Sequence, residues 1–536
     1  MDRKKHKGYL CLALHAHLPY VRHPEYDYFL EENWLYEAIT ETYVPLIIVL
    51  SGLVDDGIDF GMTLCISPTL IEMLNDSLLK LRYRRHIGRL IELSEREAYR
   101  TRRNIHFGPV VRMYREKFLK VRHTYEDVIG GDLVSAFRKL QDTGKIEIIT
   151  TAATHAFLPN LSIYPQAVRA QIKTACLLHR KNFGGHAAGM WLPECGFVPG
   201  FDLHLRRARI KFFFLDTHGV AHGKPPSGYG VYAPVLCPSG VAAFGRDPDT
   251  SLQVWSSVAG YPGDFDYRDF YRDIGFDLDL EHIRSFIRPF GVSKTYTGLK
   301  YYRVTGRTEL KKPYVPERAR VKAAEHAEHF IRGREAQVDL LSRRLKIMPL
   351  ITATYDAELF GHWWFEGPQW LNFLLRGING APRNFRTVTP SEYLSLKSGR
   401  PARLPVCEPS MSSWGEKGYS DRWLNETNDY VCRHLHKAVE RMTHLADRFP
   451  DSSGILQRAL NQAAREVLLS QHSDWTFIME NGTHSPYAEK RLKEHICRFN
   501  FLYESINSGV ISEKSLAEIE DKDGLFKDID YRVYRP

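Results

Sequence analysis

Apolar residues fall along this chain in two rhythms. Short runs rich in β-branched and aromatic residues recur as GYLCLALH (8–15), DFGMTLCIS (59–67), KIEIITTAATH (145–155), KFFFLDTH (211–218) and ITATYD (351–356), and each ends in polar residues. Runs of this kind predict buried strands. Between them apolar residues return every three or four positions, which predicts helices from about Trp34 to Gly52, across 70–140, over 164–183 and over Glu317–Leu345. Strands alternating with helices of this length form βα units around a parallel sheet, so the fold class is α/β. The stretch 70–140 is long, charged and poor in glycine and proline before Gly130, and reads as a helical insertion between two strands. Beyond Pro401–Pro409, a predicted linker, the rhythm of Asp421–Arg448, Leu456–Gln471 and Tyr487–Ser508 predicts a helical bundle. Two domains are expected, residues 1–400 and 401–536.

In folds of this class ligands lie at the carboxyl ends of the strands. The polar residues that close the predicted strands are therefore the candidates: His15 and His17, His155, Glu194 with Trp191 just before it, Asp216 with His218, and Asp356. His15 and His17 are two positions apart and point the same way from a strand. Asp356 runs into AELFGHWWFEG, which adds Glu358, His362, Trp363, Trp364 and Glu366. Three aromatic and acidic loops, VWSSVAGYPGDFDYRDFY (254–271), SSWGEKGYSDRW (412–423) and SQHSDWTFIMENG (470–482), supply Trp255, Trp414, Asp474 and Trp475. Acids beside indoles suit sugar chemistry, because carboxylates move protons or attack carbon and flat rings hold pyranose faces. Glu194 and Asp356 form the natural pair for cleaving a glycosidic bond, with His15, His17, His155 and Asp474 as hydroxyl binders. A metal-dependent hydrolase or deacetylase is the alternative, since His15, His17, His155 and Asp216 are zinc-ligand types.

Composition narrows the classes. Hydrophobic content of 43% and charged content of 26% belong to a globular protein with a large core. The net charge of +9 concentrates between Lys80 and Arg122, where interleaved acids and helical apolar spacing mark a solvated face rather than a nucleic-acid surface. No apolar run approaches the roughly 20 residues that span a bilayer, so no membrane partner is expected. The basic residues before Leu10–Leu14 introduce a first core strand, not a signal peptide, because His15 and His17 interrupt the apolar run. The eight cysteines include no CxxC pair, which fits a reducing, cytoplasmic setting.

Five motifs in order, LHAHLPY (14–20), GKIEIITTAATHAFLP (144–159), GMWLPECGF (189–197), TATYDAELFGHWWFEG (352–367) and SQHSDWTFI (470–478), together resemble glycoside hydrolase family 57. Within it the pattern is most similar to the 1,4-α-glucan branching enzymes and the related α-amylase-like members. The resemblance implies an incomplete (β/α)7 barrel with a helical insertion and a C-terminal helical domain over the cleft. It implies a double displacement without metal or cofactor, acting on α-1,4-glucan such as amylose, starch or glycogen, in a monomer or small homo-oligomer. Glu194 falls on the family's nucleophile and Asp356 on its acid/base. His17, His155 and Asp474 fall on positions lining the donor-sugar site, Trp255 and Trp414 on aromatic guides for the glucan, and Trp363 on a supporting wall. Two departures stand out. His472 occupies a place where the family usually has serine. The segment between Glu194 and Trp255 is short, leaving only Tyr229 and Tyr232 as candidates for a gating loop. A reduced lid predicts appreciable hydrolysis beside branching. Plain α-amylase action and a glycan-binding protein without catalysis are the further alternatives.

Overall fold

A computed structural model describes residues 6–256, 259–287, 294–396, 401 and 403–536. Residues 397–400 and 402, at the expected domain boundary, lie outside the described residues, as do 1–5 and 257–258. The strands are β1 Gly8–Ala16, β2 Met62–Ile66, β3 Ile146–Ile149, β4 Gly189–Met190, β5 Phe212–Leu215, β6 Val235–Leu236, β7 Ala242–Gly245, β8 Leu350–Asp356 and β9 Phe385–Thr387.

β1 is the hub, pairing in parallel with β2 and with β8 so that Leu14 faces both Leu64 and Tyr355. β2 pairs with β3, a parallel bridge from Thr150 to Met190 leads on to β4, and β4, β5 and β7 continue in parallel. The Asp247 amide, just past β7, donates to the Thr352 carbonyl of β8 at 2.9 Å, which brings the two ends of this row together. β6 runs antiparallel to β7, and β9 joins the start of β1. The parallel strands are buried on both faces, which is why they read as continuous apolar runs. Along β1, Leu10, Leu12 and Leu14 pack toward the helices, while Cys11 and Ala13 join Cys65, Ile149, Phe212, Phe214 and Phe244 in a second, inner cluster.

The expected insertion is helical: Pro68–Asn75, Ser77–Arg100, Phe107–His123 and Leu133–Asp142, with Asp76 and Asp132 capping two of these by accepting from Leu79 N–H and Ser135 N–H. The C-terminal part holds helices Tyr430–Arg448, Gly454–Ser470, Ser473–Asn481, Ser485–Ser508 and Glu513–Lys522. The helix expected from Asp421 begins only at Tyr430. The Asn425 amide donates to Asn428 Oδ1 in a turn that keeps 420–429 out of the helix and leaves Arg422 and Trp423 on the cleft.

One expectation needs correction. Glu32–Asp55 is, by length and composition, long and apolar enough to cross a membrane. Most of its apolar window is buried inside the fold, where Val44–Asp55 packs against Gly367–Gly380 and Leu133–Asp142. The sequence reading missed it because polar residues of a π-turn, Ile39–Tyr43, interrupt the apolar run.

Candidate active site

The carboxyl ends of the parallel strands open into a cavity of about 470 Å³. His15 and His17 reach it from β1, His155 from the turn after β3, Glu194 from the turn after β4, Arg246 from β7, and Asp356 and Glu358 from β8. Trp255 and Trp363 line it too, and Trp414, Asp474 and Phe477 come from the C-terminal part.

Glu194 sits on an unusual backbone. It and Cys195 have φ of 59° and 51°, and His155 has φ of 53°, all in the left-handed region that non-glycine residues avoid at a cost of about 1–2 kcal/mol each. Surrounding contacts hold these turns. Gly196 lies so close to Phe157 that a Cβ would come within 2.6 Å of its ring, and the Trp414 amide donates to the Glu194 carbonyl at 3.0 Å. The side chain is held as well: Trp414 Nε1–H donates to Glu194 Oε2 at 2.8 Å and Ser473 Oγ–H to Oε1 at 2.9 Å. Ser473 thereby accepts from His155 Nδ1–H at 2.8 Å, leaving His155 Nε2 to accept from His15 Nε2–H at 2.9 Å. Burial holds both imidazoles well below the ordinary histidine value, reinforced by the charge of His17.

Of the carboxylates that line the cavity, Glu194, Asp356, Glu358 and Asp474 are not equivalent. Burial, then the charge of Asp474, pushes Glu194 up to about 7, while the donors Trp414 and Ser473 favour its anion. Burial, then the charges of Glu358 and Glu194, holds Asp356 well above the usual carboxylate range, opposed by Arg246. Glu358 rises to about 6 through burial and is held by Tyr43 O–H and by the His17 amide at 3.1 Å. Burial works against the Asp474 charge, but His17 and His472 outweigh it and hold this carboxyl well below its ordinary value. His17 Nε2 lies 2.9 Å and His472 Nδ1 2.7 Å from Asp474 Oδ2. The site can therefore present one anion with two donors on it beside a carboxylic acid that keeps its proton, which is the division of labour of acid/base and nucleophile pairs.

The remaining candidates divide. Trp363 is half exposed on the cavity and stacks on Phe270 at 4.4 Å, and Trp255, partly exposed, lines the same cavity. Trp191 is buried behind the site, parallel to the His15 ring at 4.8 Å. Trp475 is buried in the C-terminal core and donates to the Leu469 carbonyl. His362 faces away, with Nδ1 2.7 Å from Glu41. Asp216 accepts from Arg246 at 3.2 Å and lies 3.3 Å from His218, which donates to the Gly418 carbonyl at 2.7 Å; this pair braces Arg246 and the turn beside Trp414. With Asp216 so engaged, the residue set drawn up for a zinc site is not brought together. His17, His472 and Asp474 do bring three ligand-type atoms within 4.8 Å of one another, so among the described residues they are a cavity group able to hold a cation.

The gating candidates Tyr229 and Tyr232 are misplaced. The Tyr232 carbonyl accepts from the Leu350 amide at the first residue of β8, whereas Asp356 closes the same strand, about 20 Å away. Tyr229 lies one turn back, accepting from the Tyr232 amide. The loop after β5 must descend to the amino end of the sheet before β7 can begin, and its length is spent on that descent. Sequence reasoning also missed Arg246, Ser473, Arg422, Trp423 and Phe477. Arg246 directly follows the strand Ala242–Gly245, which lies in a Gly- and Pro-rich stretch that gives no strand signal; Phe477 sits one helical turn after Asp474.

Comparison with known proteins decides the family. Residues 11–406 match the family model of glycosyl hydrolase family 57, and residues 434–534 match that of the 1,4-alpha-glucan branching enzyme C-terminal region. The chain belongs to glycoside hydrolase family 57. Among similar solved structures, the alpha-amylase AmyC from Thermotoga maritima shares 42% identity with a TM-score of 0.91, covering 99% of both chains. The GH57-type branching enzyme from Pyrococcus horikoshii shares 32% with a TM-score of 0.87, covering 99% of this chain and 97% of that one. The 1,4-alpha-glucan branching enzyme TK1436 of Thermococcus kodakarensis is 31% identical over 98% of this chain and 78% of its own length.

Proposed function

We propose that this protein is a retaining 1,4-α-glucan branching enzyme with appreciable hydrolytic activity. The observation that carries the reading is where the branching-enzyme C-terminal region falls. The matched residues 434–534 contain Ser473, which bonds Glu194, and Asp474, which faces the same cavity. In this reading the row of parallel strands is an incomplete (β/α)7 barrel, 1–400, and the helices of 401–536 form the domain that completes its cleft.

Glu194, as anion, attacks the anomeric carbon of an α-1,4-linked glucose while Asp356 gives its proton to the departing 4-oxygen. A covalent glycosyl-enzyme of inverted configuration results, and the shortened chain leaves. Asp356, now an anion, removes the proton from the 6-hydroxyl of an acceptor glucan, whose oxygen attacks the same carbon and restores the α configuration. His17 and Asp474 hold hydroxyls of the donor sugar, and Trp255, Trp363 and Trp414 offer faces for the chain. Water entering in place of the acceptor gives hydrolysis. Among the described residues no tyrosine lines the cavity, so the gating device anticipated at Tyr229 and Tyr232 does not shield the intermediate. The strong similarity to AmyC favours the second reading, an α-amylase.

Incubating the protein with amylose and counting new α-1,6 linkages against new reducing ends separates the two. Both products are expected; reducing ends without α-1,6 linkages would sink the branching assignment. A further expectation concerns Trp414→Phe. Loss of its N–H from the Glu194 carboxylate removes a bond to a charged group, which lowers kcat/KM on the acid side of the profile roughly tenfold or more. It also moves the acid limb to higher pH, because the Glu194 anion has lost a donor. A fall in rate with an unmoved acid limb would show that Trp414 acts only as a wall.

A further inference from the structure

Away from the cleft, the outer face of the helix Pro165–Phe183, the short helix Phe201–Arg207 and the segment 530–533 enclose a groove of about 490 Å³. Its walls carry Arg169, Lys173, Arg180, Arg207, Arg209 and Arg532 against a single carboxylate, Asp530. That carboxylate is engaged: its two oxygens accept from Arg532 at 2.9 and 2.7 Å. Lys173, Arg180, Arg207 and Arg209 make no ion pair or side-chain hydrogen bond among the described residues, and Arg169 donates only to the Val533 carbonyl, at 3.2 Å. Burial lowers His204, also on the groove, and the charges of Arg207 and Arg169 lower it further. Like charges gathered in this way repel one another and cost stability unless an anion comes between them.

The basic residues are not what fastens the helix. Its opposite face is buried through Ala167, Val168 and Ala175, and there Gln171 accepts from the Thr154 amide at 3.0 Å and donates to Gln471 at 2.9 Å. The groove is not purely polar, since Ile172, Leu177 and Val533 line it too. Its volume lies within the range of small-molecule pockets. Arginine forks match phosphate oxygens two at a time.

We propose that this groove binds a small phosphorylated metabolite, with its phosphates on the arginines and its uncharged body against Ile172, Leu177 and Val533. The site is separate from the glucan cleft, and the proposal does not depend on the reaction assigned there. Calorimetric titration of the intact chain with pyrophosphate, ADP and adenosine, at matched ionic strength, tests it. Saturable one-to-one binding is expected for pyrophosphate and ADP and none for adenosine. The double variant Arg180→Gln/Arg207→Gln is expected to weaken both anions at least roughly tenfold, without lowering the thermal midpoint or amylose turnover measured in their absence. ADP binding more tightly than pyrophosphate identifies a nucleotide as the ligand class; equal affinity identifies phosphate groups alone as what is read, as on a sugar phosphate. No saturable binding of either anion, adenosine binding as well as ADP, or binding that the double variant retains overturns the proposal.

Discussion

Replacing Glu194 by glutamine is expected to cut amylose turnover by on the order of 10⁴-fold or more, with glucan affinity changed by no more than about threefold. Glutamine keeps the size of the side chain, and its carbonyl oxygen can still accept from Trp414 Nε1–H, so the turn around residue 194 has no cause to move. In the proposed mechanism, what is lost is the lone pair that forms the covalent intermediate, an interaction realised only in the reaction and not in binding. Stability gives a second readout. The folded protein raises Glu194 from 4.5 to about 7. Such a group costs nothing below about pH 4.5, where it is protonated in both states, and costs most above pH 7, where folding buries its charge. The variant is therefore expected to be more stable than the parent by about 2–3 kcal/mol at pH 8, a difference that fades as pH falls toward 4.5. Chemical denaturation at the two pH values measures it. Parent-like turnover in the variant would refute the nucleophile assignment, whatever the stability result.

Asp356→Asn is expected to lose roughly 10²–10⁴-fold on amylose, the range supplied by a positioned general acid. The loss should depend on the leaving group. A glycosyl fluoride departs without a proton, so α-maltosyl fluoride is expected to keep a much larger share of its rate than amylose does. Added azide needs no base to attack, so it is expected to restore turnover and yield an α-configured azide. Equal losses on amylose and fluoride would remove Asp356 from the acid role. The pH profile of kcat/KM adds a separate check. The proposed mechanism needs Glu194 ionised, so activity is expected to fall as pH drops below about 7. Asp356 must be protonated, and burial with the Glu358 and Glu194 charges keeps it so well above its ordinary range. Activity is therefore expected to fall again as pH rises through that raised value, and this basic limb is expected to vanish in Asp356→Asn.

Much of this architecture was legible along the chain for a local reason. β1 is buried on both faces, so every residue from Tyr9 to Leu14 had to be apolar, and the polar residues at its end marked where the strand leaves the core. The same contrast exposed His155 after β3 and Asp356 at the end of β8. It failed at β7, where Ala242–Gly245 is too short and too small-sided to stand out from the glycine- and proline-rich stretch around it, and Arg246 was lost with it. It failed also for Tyr229 and Tyr232, because which end of a sheet a loop occupies depends on the strand that follows it, not on the composition of the loop.

The sequence by itself determined the alternation of strands and helices, the rim of histidines and acids at the strand ends, and the family. These follow from side-chain types placed at fixed spacing, which a chain carries whether or not it is folded. Only the tertiary structure decided how the carboxylates differ. Ser473, Trp414 and Glu194 are far apart in sequence, yet the first two donate to the third and favour its charge. Asp356 lies among negative neighbours and keeps its proton. Asp474 is pinned between two imidazoles and stays ionised. Charge states are set by burial and by neighbours brought together across the fold, and those exist only once the sheet and the C-terminal helices have met.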